Sequence, residues 1–389
     1  MSFSSSKTLI KGSVLTVIFQ MLSQLSLIVL NYVVSRFYDI NDYGHYVYGF
    51  SLAIFFSTIA SLGASTLLPK LYGSLYKDSE NIEQTIFKTM NWHLYIGLII
   101  TIITYCVASM VLSNEISKVS LALIFPLFFI GMIGAFYTAV KKVFLANLQM
   151  FILRTTLILF FMVLTYFVCV SLSLEIAIAF IFIFVFMYWV ILSKDKSFAF
   201  EKPKDNILFY SALSWINIFQ AYVSIFTIKY FLSSTDIALY SLAVQMYLSL
   251  NMVMLAVSSN LLSSTSYSYF NESIDVFRSR MRKVAKLIFI VSIITVILSI
   301  IGSIVLVYIY GESYYSSFYI YLILLIGFIF HIANGTNGNI CIMTGNVKAN
   351  MVAIFLSIFV NILVSILFIS TIGVYSIALG AVMGIFTLN

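Results

Sequence analysis

The sequence KDKSFAFEKPKDN, residues Lys194 to Asn206, divides the chain into two halves of similar length. This stretch holds seven charged side chains and a proline, whereas long apolar runs lie on both sides of it. A segment with this much charge does not lie in hydrocarbon, because each ionised side chain would lose its hydration there. We therefore predict a water-exposed linker, residues 194–206, between membrane-embedded halves at 1–193 and 207–389.

The composition excludes an ordinary soluble domain. Of the 389 residues, 62% are hydrophobic and 9% are charged, and the mean hydropathy is +1.06. Soluble domains carry about 25% charged residues. The chain is therefore predicted to be an all-α integral membrane protein that crosses the bilayer many times.

Apolar runs long enough to cross a bilayer occur twelve times. A spanning helix needs about 20 apolar residues, because its backbone groups must be paired internally. We predict spans at residues 12–36, 44–68, 90–113, 119–140, 151–171, 174–193, 207–232, 238–263, 284–310, 316–343, 347–370 and 374–388. The last run is short, so we expect the sequence to stop within that helix.

The distribution of cations predicts the orientation of these spans. Of the 21 Lys and Arg residues, 18 fall on the side of the N-terminus, and only Arg36, Lys118 and Lys229 fall on the other side. Short cytoplasmic loops carry this excess of Lys and Arg. The N-terminus is therefore predicted to be cytoplasmic. The same bias accounts for the net charge of +7, so no nucleic-acid partner is expected.

The two halves repeat a short pattern. The segment SRFYDINDYGHY (Ser35–Tyr46) corresponds to KYFLSSTDIALY (Lys229–Tyr240) at a shift of 194, which places Asp42 on Asp236. Six spans in each half give both repeats the same direction in the membrane, as in transporters whose halves are related by an axis along the membrane normal. Such a repeat favours alternating access between two helical bundles.

Several motifs carry a family resemblance. They are IKGSVL (Ile10–Leu15), VSRFYDINDYGHY (Val34–Tyr46), SLGASTLLPKLY (Ser61–Tyr72), DIALYSLAVQM (Asp236–Met246), YGESYYSSFYIYLILLIG (Tyr310–Gly327), GNICIMTGNVKAN (Gly338–Asn350) and GVYSIALGAVMG (Gly373–Gly384). In order and spacing the chain resembles the O-antigen unit flippases, the polysaccharide biosynthesis family of the multidrug/oligosaccharidyl-lipid/polysaccharide (MOP) exporter superfamily. It departs from the family pattern at Ala238, where the family usually has glycine, and at Leu261–Thr265, where it lacks a proline.

The resemblance implies a MATE-like fold of two pseudo-symmetric six-helix bundles in a bacterial inner membrane. It implies a transporter and not an enzyme. The implied substrate is an oligosaccharide of the O-antigen or capsule type, linked through pyrophosphate to a polyprenol and moved from the cytoplasmic to the outer leaflet. An O-antigen polymerase and a chain-length regulator are the implied protein partners, together with the lipid bilayer itself.

Such a substrate needs cations in the transport path. Arg154 lies one turn into the fifth run, Arg36 ends the first, and Lys229 lies near the end of the seventh. Arginine binds pyrophosphate in a bidentate manner, and lysine binds it as a point charge. Each of the three could instead extend to the nearest lipid headgroups.

His331 lies in the middle of the tenth run, within the polar stretch HIANGTNGN (His331–Asn339). It is either a packing residue or a group that couples transport to protons. Polar side chains also share faces of the first, seventh and eleventh runs, and these faces either line a wet cavity or bond neighbouring helices. The candidates on these faces are Gln20, Gln24, Asn31, Asn217, Gln220 and Asn361.

Motifs for ATP hydrolysis and for metal binding are missing from the sequence, so we expect no cofactor beyond a coupling H⁺ or Na⁺. Three rival functions remain. A multidrug cation antiporter would require a membrane-buried carboxylate, whereas all fourteen acidic residues fall in loops or near helix ends. A membrane-embedded polysaccharide polymerase would require a large loop outside the membrane, and the predicted outer turns are short. A generic sugar permease is the third rival.

Overall fold

The computed structural model describes residues 6–75, 82–167, 170–193, 199–202, 207–248, 250, 269, 273–334, 341 and 346–388. Within these residues the regular structure is entirely helical. The helices, numbered along the chain, are α1 (Ser6–Phe37), α2 (Ile40–Ala60), α3 (Ala64–Leu75), α4 (Ile82–Val111), α5 (Glu115–Leu121), α6 (Ile124–Ala139), α7 (Val143–Phe167), α8 (Val170–Ser193), α9 (Ile207–Phe231), α10 (234–248), α11 (Ile274–Tyr310), α12 (Tyr315–Asn334), α13 (Val347–Ile372) and α14 (Val374–Leu388).

The lengths and composition of these helices are those of a multi-pass membrane protein. Eight helical segments in the described part are long and apolar enough to cross a bilayer, and α2 joined to the start of α3 makes a ninth. Two shorter apolar helices follow at 175–191 and 374–388. The predicted fold class is confirmed. The predicted eighth span, 238–263, is described only in part, so the total of twelve spans stays a prediction.

Two predicted spans are not the continuous helices that the sequence had indicated, although the fourth still forms one candidate membrane span. The second, predicted at 44–68, bends by 43° between α2 and α3. Leu62 and Gly63 adopt positive φ values of 50° and 73° at the break. The fourth, predicted at 119–140, is interrupted between α5 and α6. Pro126 explains this second break, because it has no N–H to donate to the carbonyl of residue 122 and its ring crowds that carbonyl.

Several other helices begin earlier than the predicted spans, and two of them include charged segments. The third begins at Ile82 instead of residue 90, and the ninth begins at Ile274 instead of residue 284. In both places a charged segment that precedes the predicted span is part of the same helix as the span. The difference arises because apolar length identifies the buried portion of a helix and not its aqueous extension.

The helices before and after the linker pack mainly among themselves. In the first half α1 packs along α7, and α6 lies against α2, α3, α4, α7 and α8. In the second half α14 packs against α12 and α13, and α9 packs against α13. The two groups meet where α2 and α3 lie against α9. We call this contact the seam. The division into domains at 1–193, 194–206 and 207–389 remains a prediction.

The described part of the linker, residues 199–202, lies against α4. The Glu201 N–H approaches the Lys88 carbonyl oxygen at 3.4 Å, and the Phe200 ring centroid is 5.8 Å from that of Tyr95. The other linker residues lie outside the described part of the chain. Residues 199–202 therefore lie beside the first half of α4.

Candidate functional site

Arg154 lies in the middle of α7 and reaches α1. Its Nη1 donates to the Ser23 carbonyl oxygen and, at 3.0 Å, to the Ser23 Oγ. No described carboxylate forms an ion pair with Arg154. Among the described residues, the hydrogen-bond partners of this positive charge inside the membrane-spanning region are therefore neutral acceptors.

A cavity of about 230 Å³ opens beside this guanidinium. It lies inside the first group of helices, between α1, α2, α3, α6 and α7. One wall carries the hydroxyl groups of Ser57, Thr58, Ser61 and Ser65, and the opposite wall is apolar. We call this space the Arg154 cavity. The hydroxyls of Ser57, Thr58 and Ser61 donate to carbonyl groups of α2 at 2.7 to 2.9 Å, but a hydroxyl hydrogen can rotate towards a ligand.

The bend between α2 and α3 brings this wall close to the second half of the chain. A Cβ on Gly63 would stand 2.6 Å from the Tyr210 carbonyl carbon, so only glycine fits this approach. One helical turn before Gly63, the carbonyl oxygen of Ile59 accepts a hydrogen bond of 3.1 Å from the Trp215 Nε1 on α9. On α3, the Lys70 ammonium donates to the Tyr210 hydroxyl. The break in the helix therefore supplies a backbone carbonyl and a close contact for α9.

Arg36 lies at the predicted outer end of the molecule, in a contact between the halves. Its Nη2 donates to the Ile309 carbonyl oxygen at 2.7 Å, and its guanidinium lies 5.0 Å from the Tyr32 ring centroid. The side chain is exposed. Neighbouring aromatic pairs join the halves at the same level. They are Tyr32 with Tyr310 at 5.5 Å and Tyr43 with Tyr314 at 6.3 Å between centroids. We call Tyr32, Arg36, Tyr43, Tyr310 and Tyr314 the outer latch.

Lys229 also lies at this end of the seam. Its Nζ is 5.4 Å from the centroid of the Tyr48 ring on α2, and its side chain is exposed. Nearby, the Nε2 of His45 and the Oγ of Ser234 are 3.3 Å apart, which links α2 to α10. Neither Arg36 nor Lys229 lines the Arg154 cavity. The structure therefore separates the three candidate cations into one interior site and two contacts between the halves.

The polar candidates on α9 and α13 bond neighbouring helices. The Gln220 amide donates to the Ser357 Oγ at 2.8 Å, and the Asn361 amide makes a long contact of 3.5 Å with the Ser224 Oγ. Ser357 in turn donates to the Gly384 carbonyl oxygen at 2.7 Å. The predicted roles of these polar side chains were to line a wet cavity or to bond neighbouring helices. The geometry of Gln220 and Asn361 is that of bonds between neighbouring helices.

The remaining five candidate side chains differ in how far they are buried. Asn31 is buried on α1, whereas Gln20 and Gln24 are partly exposed there, and Asn217 is exposed on α9. His331 is partly buried near the end of α12, and most of the polar stretch that follows it lies outside the described residues. None of these five side chains lines the Arg154 cavity, and their predicted contact with substrate stays a prediction.

Two features of the site were missed by sequence reasoning. Ser23 binds Arg154 through its backbone carbonyl as well as its hydroxyl, and no side-chain pattern reveals the carbonyl contact. The hydroxyl wall has a sequence signal, because Ser57, Ser61 and Ser65 recur at steps of four, but the bend at Gly63 lies between the last two. The described residues contain no cluster of His, Cys, Asp or Glu that could hold a metal ion.

The fold is that of MATE transporters of the MOP superfamily. The chain is similar to an outward-facing multidrug resistance MATE family transporter of that superfamily, with a TM-score of 0.71, 13% identity, and 100% of this chain and 96% of the other covered. It is similar to the MATE multidrug transporter DinF-BH, whose structure contains a bound ligand, with a TM-score of 0.73, 14% identity, and coverage of 98% and 93%.

A third similar structure is a MOP superfamily transporter from Pyrococcus furiosus, with a TM-score of 0.70, 13% identity, and coverage of 100% and 96%. That protein is described as having a binding pocket of reverse polarity, which suggested a different function for it. No family model matches the chain, and no curated protein matches it in sequence. The likeness in structure confirms the predicted MATE-like membrane fold.

Proposed function

We propose that this chain is a flippase that moves a polyprenyl-pyrophosphate-linked oligosaccharide from the cytoplasmic to the outer leaflet of a bacterial inner membrane. The proposal rests on one observation above all. An arginine lies inside the membrane-spanning region and lines a cavity that has hydroxyl groups along one wall, and it forms an ion pair with no described carboxylate. An anionic ligand would supply the missing counter-charge.

The energetics support an anion over a cation as cargo. Placing a charged side chain at the centre of a membrane helix costs about 3 kcal/mol or more, so such residues are retained where they have a function. Moving a phosphate group unaided through hydrocarbon costs tens of kcal/mol. A guanidinium that lines the transport path and a phosphate group offset each other's cost of burial, because the two groups can form two charge-assisted hydrogen bonds.

The two halves would move against each other during transport. The outer latch joins them at the predicted outer end, so release of the substrate on that side requires the latch to separate. The energy would come from an H⁺ or Na⁺ gradient or from consumption of the product. An O-antigen polymerase acting with a chain-length regulator would consume that product.

A multidrug antiporter is the second candidate, because two of the similar structures are multidrug transporters. A drug cation would require an interior carboxylate. The described acidic residues lie in loops or near helix ends, and none lines the Arg154 cavity. The interior charge is therefore of the wrong sign for a cationic drug.

Deletion of the gene separates the two functions. In the flippase case, lipid-linked repeat units accumulate in the inner leaflet of the deletion strain, and surface polysaccharide falls. Complementation with Arg154→Ala should restore less than a tenth of the translocation, with partial recovery for Arg154→Lys. The control Arg278→Ala, which changes an exposed arginine near the start of α11, should restore it fully. Normal surface polysaccharide together with increased drug sensitivity would overturn the proposal in favour of an antiporter.

A further inference from the structure

One face of α2 runs from the Arg154 cavity to the outer latch. Tyr43, Tyr46, Phe50, Ile54 and Ser57 follow one another at steps of three or four residues, which places them on the same side of the helix. Phe50, Ile54 and Ser57 line the Arg154 cavity. Tyr43 belongs to the outer latch, where its ring meets that of Tyr314. The two tyrosines therefore continue the lining of the cavity towards the predicted outer end.

Three aromatic rings on this face lie almost parallel. The ring centroids of Tyr46 and Phe50 are 6.0 Å apart with an interplanar angle of 9°, and those of Tyr43 and Tyr46 are 6.1 Å apart with an angle of 22°. We call Tyr43, Tyr46 and Phe50 the aromatic strip. Both tyrosine side chains are fully buried, and Phe50 is partly buried. The strip thus connects the cavity to the latch along α2.

The second half of the chain covers the outer part of the strip. The Nε2 of Gln245 on α10 approaches the Tyr43 hydroxyl oxygen at 3.4 Å, and Gln245 is itself buried. A Cβ on Gly44 would stand 1.9 Å from the Ser234 carbonyl oxygen, so α2 and α10 are in close contact here. Separation of the outer latch would move Gln245 away from Tyr43 and uncover the strip.

Two polar atoms of this buried region lack hydrogen-bond partners within the described part of the chain. They are the hydroxyl oxygen of Tyr46 and the Oε1 of Gln245. A buried polar group without a partner is destabilising, so a protein that retains one calls for an explanation. The Tyr46 hydroxyl can donate and accept a hydrogen bond, and the Gln245 Oε1 can accept. A ligand that carries hydroxyl groups would supply partners for both atoms.

The combination of ring faces and polar atoms favours a sugar over other occupants. A sugar ring presents apolar C–H groups to an aromatic face and carries hydroxyl groups at its edge. A lipid chain would pack against the rings but would leave both polar atoms without partners. Water would pair with the polar atoms but would gain nothing from three parallel rings. The strip therefore matches the head of a lipid-linked oligosaccharide and not its tail.

We propose that the aromatic strip and Gln245 bind sugar units of the substrate while its pyrophosphate is held at Arg154. The proposal rests on the flippase function, because it assigns the oligosaccharide part of that substrate. Ser57 on the cavity wall and Tyr46 on the strip are about 16 Å apart along α2 at 1.5 Å per residue. An oligosaccharide that extends from the cavity towards the outer end would pass along this face of α2.

Binding of two lipids to the purified chain in nanodiscs tests this assignment. One is the lipid-linked repeat unit that accumulates in the deletion strain, and the other is undecaprenyl pyrophosphate, which carries no sugar. Tyr46→Phe removes one hydroxyl and keeps the ring. It should weaken binding of the repeat unit at least fivefold and leave binding of undecaprenyl pyrophosphate unchanged. Gln245→Leu should have the same effect.

Tyr321→Phe is the matched control, because Tyr321 is equally buried but lies on α12, outside the strip. It should change the binding of neither lipid. If Tyr46→Phe weakens both lipids equally, the proposal is overturned, because the hydroxyl would then act on a feature that the two lipids share and not on the sugar.

Thermal unfolding distinguishes a contact with ligand from a structural role. The Tyr46 hydroxyl has no described partner to lose, so Tyr46→Phe should leave the unfolding midpoint unchanged or raise it. Tyr321→Phe loses the hydrogen bond to the Ser299 hydroxyl and should lower the midpoint. A lower midpoint for Tyr46→Phe would also overturn the proposal, because the hydroxyl would then stabilise the protein without ligand.

The two proposals fail separately. If no repeat unit accumulates in the deletion strain, or if the unaltered chain binds neither lipid, the flippase function is wrong. If the chain binds both lipids and Arg154→Ala weakens both, but Tyr46→Phe and Gln245→Leu change neither, only the sugar site is wrong.

Discussion

The Arg36 guanidinium on α1 donates a hydrogen bond of 2.7 Å to the carbonyl oxygen of Ile309 on α11, 273 residues away in sequence. Ile309 is the penultimate residue of α11, where the last carbonyl groups of a helix have no partner within the helix. A cation near a helix C-terminus is also favoured by the helix dipole. Arg36 thus connects the C-terminal end of α1 in the first half to the C-terminal end of α11 in the second half.

Removal of this bond should loosen the outer end. A charge-assisted hydrogen bond contributes about 1.5 to 3 kcal/mol when shielded, and the exposed position reduces this to about 1 kcal/mol. Arg36→Ala should therefore increase the fraction of molecules separated at this end about fivefold. The measurement is the distance distribution between spin labels at positions 37 and 308, both exposed, after replacement of the three native cysteines.

Lys118→Ala is the control for this prediction, because Lys118 is a partly exposed cation predicted on the same side of the membrane and lies within the first half. It should leave the distances unchanged. If Arg36→Ala also leaves them unchanged, Arg36 does not hold the latch closed.

A substitution of Gln220 distinguishes a structural role for this side chain from a role in binding substrate. Its amide is bonded to Ser357, so Gln220→Ala should lower the free energy of unfolding by about 1 kcal/mol. Apparent substrate affinity should change less than twofold. Denaturation in detergent and a transport assay measure the two effects. A tenfold loss of affinity at unchanged stability would instead place Gln220 in the transport path.

The repeat between the halves shows how far the sequence predicted local structure. At the first turn, the Asp39 Oδ1 accepts the Asp42 N–H at 2.7 Å and caps α2. At the second turn, Ser233 and Asp236 form a reciprocal capping box, in which the Asp236 Oδ2 accepts the Ser233 N–H at 3.1 Å. These pairs coincide at the shift of 194. Capping depends on residues three apart, so the sequence alone was sufficient to predict the equivalence.

The site was less predictable for a physical reason. Arg154 was a candidate from its position in an apolar run, but the cavity beside it depends on the bend at Gly63 and on how α6 and α7 pack. Arg36 and Lys229 had the same signal as Arg154, a cation in or beside an apolar run. Their contacts with Ile309 and Tyr48 join elements more than 180 residues apart, which periodicity along one helix cannot reveal.

His331 carries the coupling hypothesis from the sequence. Histidine is the side chain that changes charge between pH 5 and 8, so a coupling histidine would make transport depend on pH in that range. His331→Ala should abolish a pH dependence of initial transport rate between pH 5.5 and 8, measured in proteoliposomes. His45→Ala is the comparison, because His45 bonds Ser234 at the seam. A pH profile unaltered by His331→Ala would exclude His331 as the coupling group.

Gly63 provides the sharpest test of the bend between α2 and α3. Its φ of 73° is a left-handed conformation that costs an L-residue about 1 to 2 kcal/mol, and an added Cβ would lie 2.6 Å from backbone atoms of Tyr210. Gly63→Ala should therefore lower the free energy of unfolding by about 2 kcal/mol or more and separate α3 from α9. Gly302→Ala is the matched control, because a Cβ there meets no atom within 4 Å and alanine favours the α11 helix. Denaturation of both variants in the same detergent measures the difference. Equal stability of the two would mean that the bend is not held by this contact, and that α2 and α3 can straighten without loss.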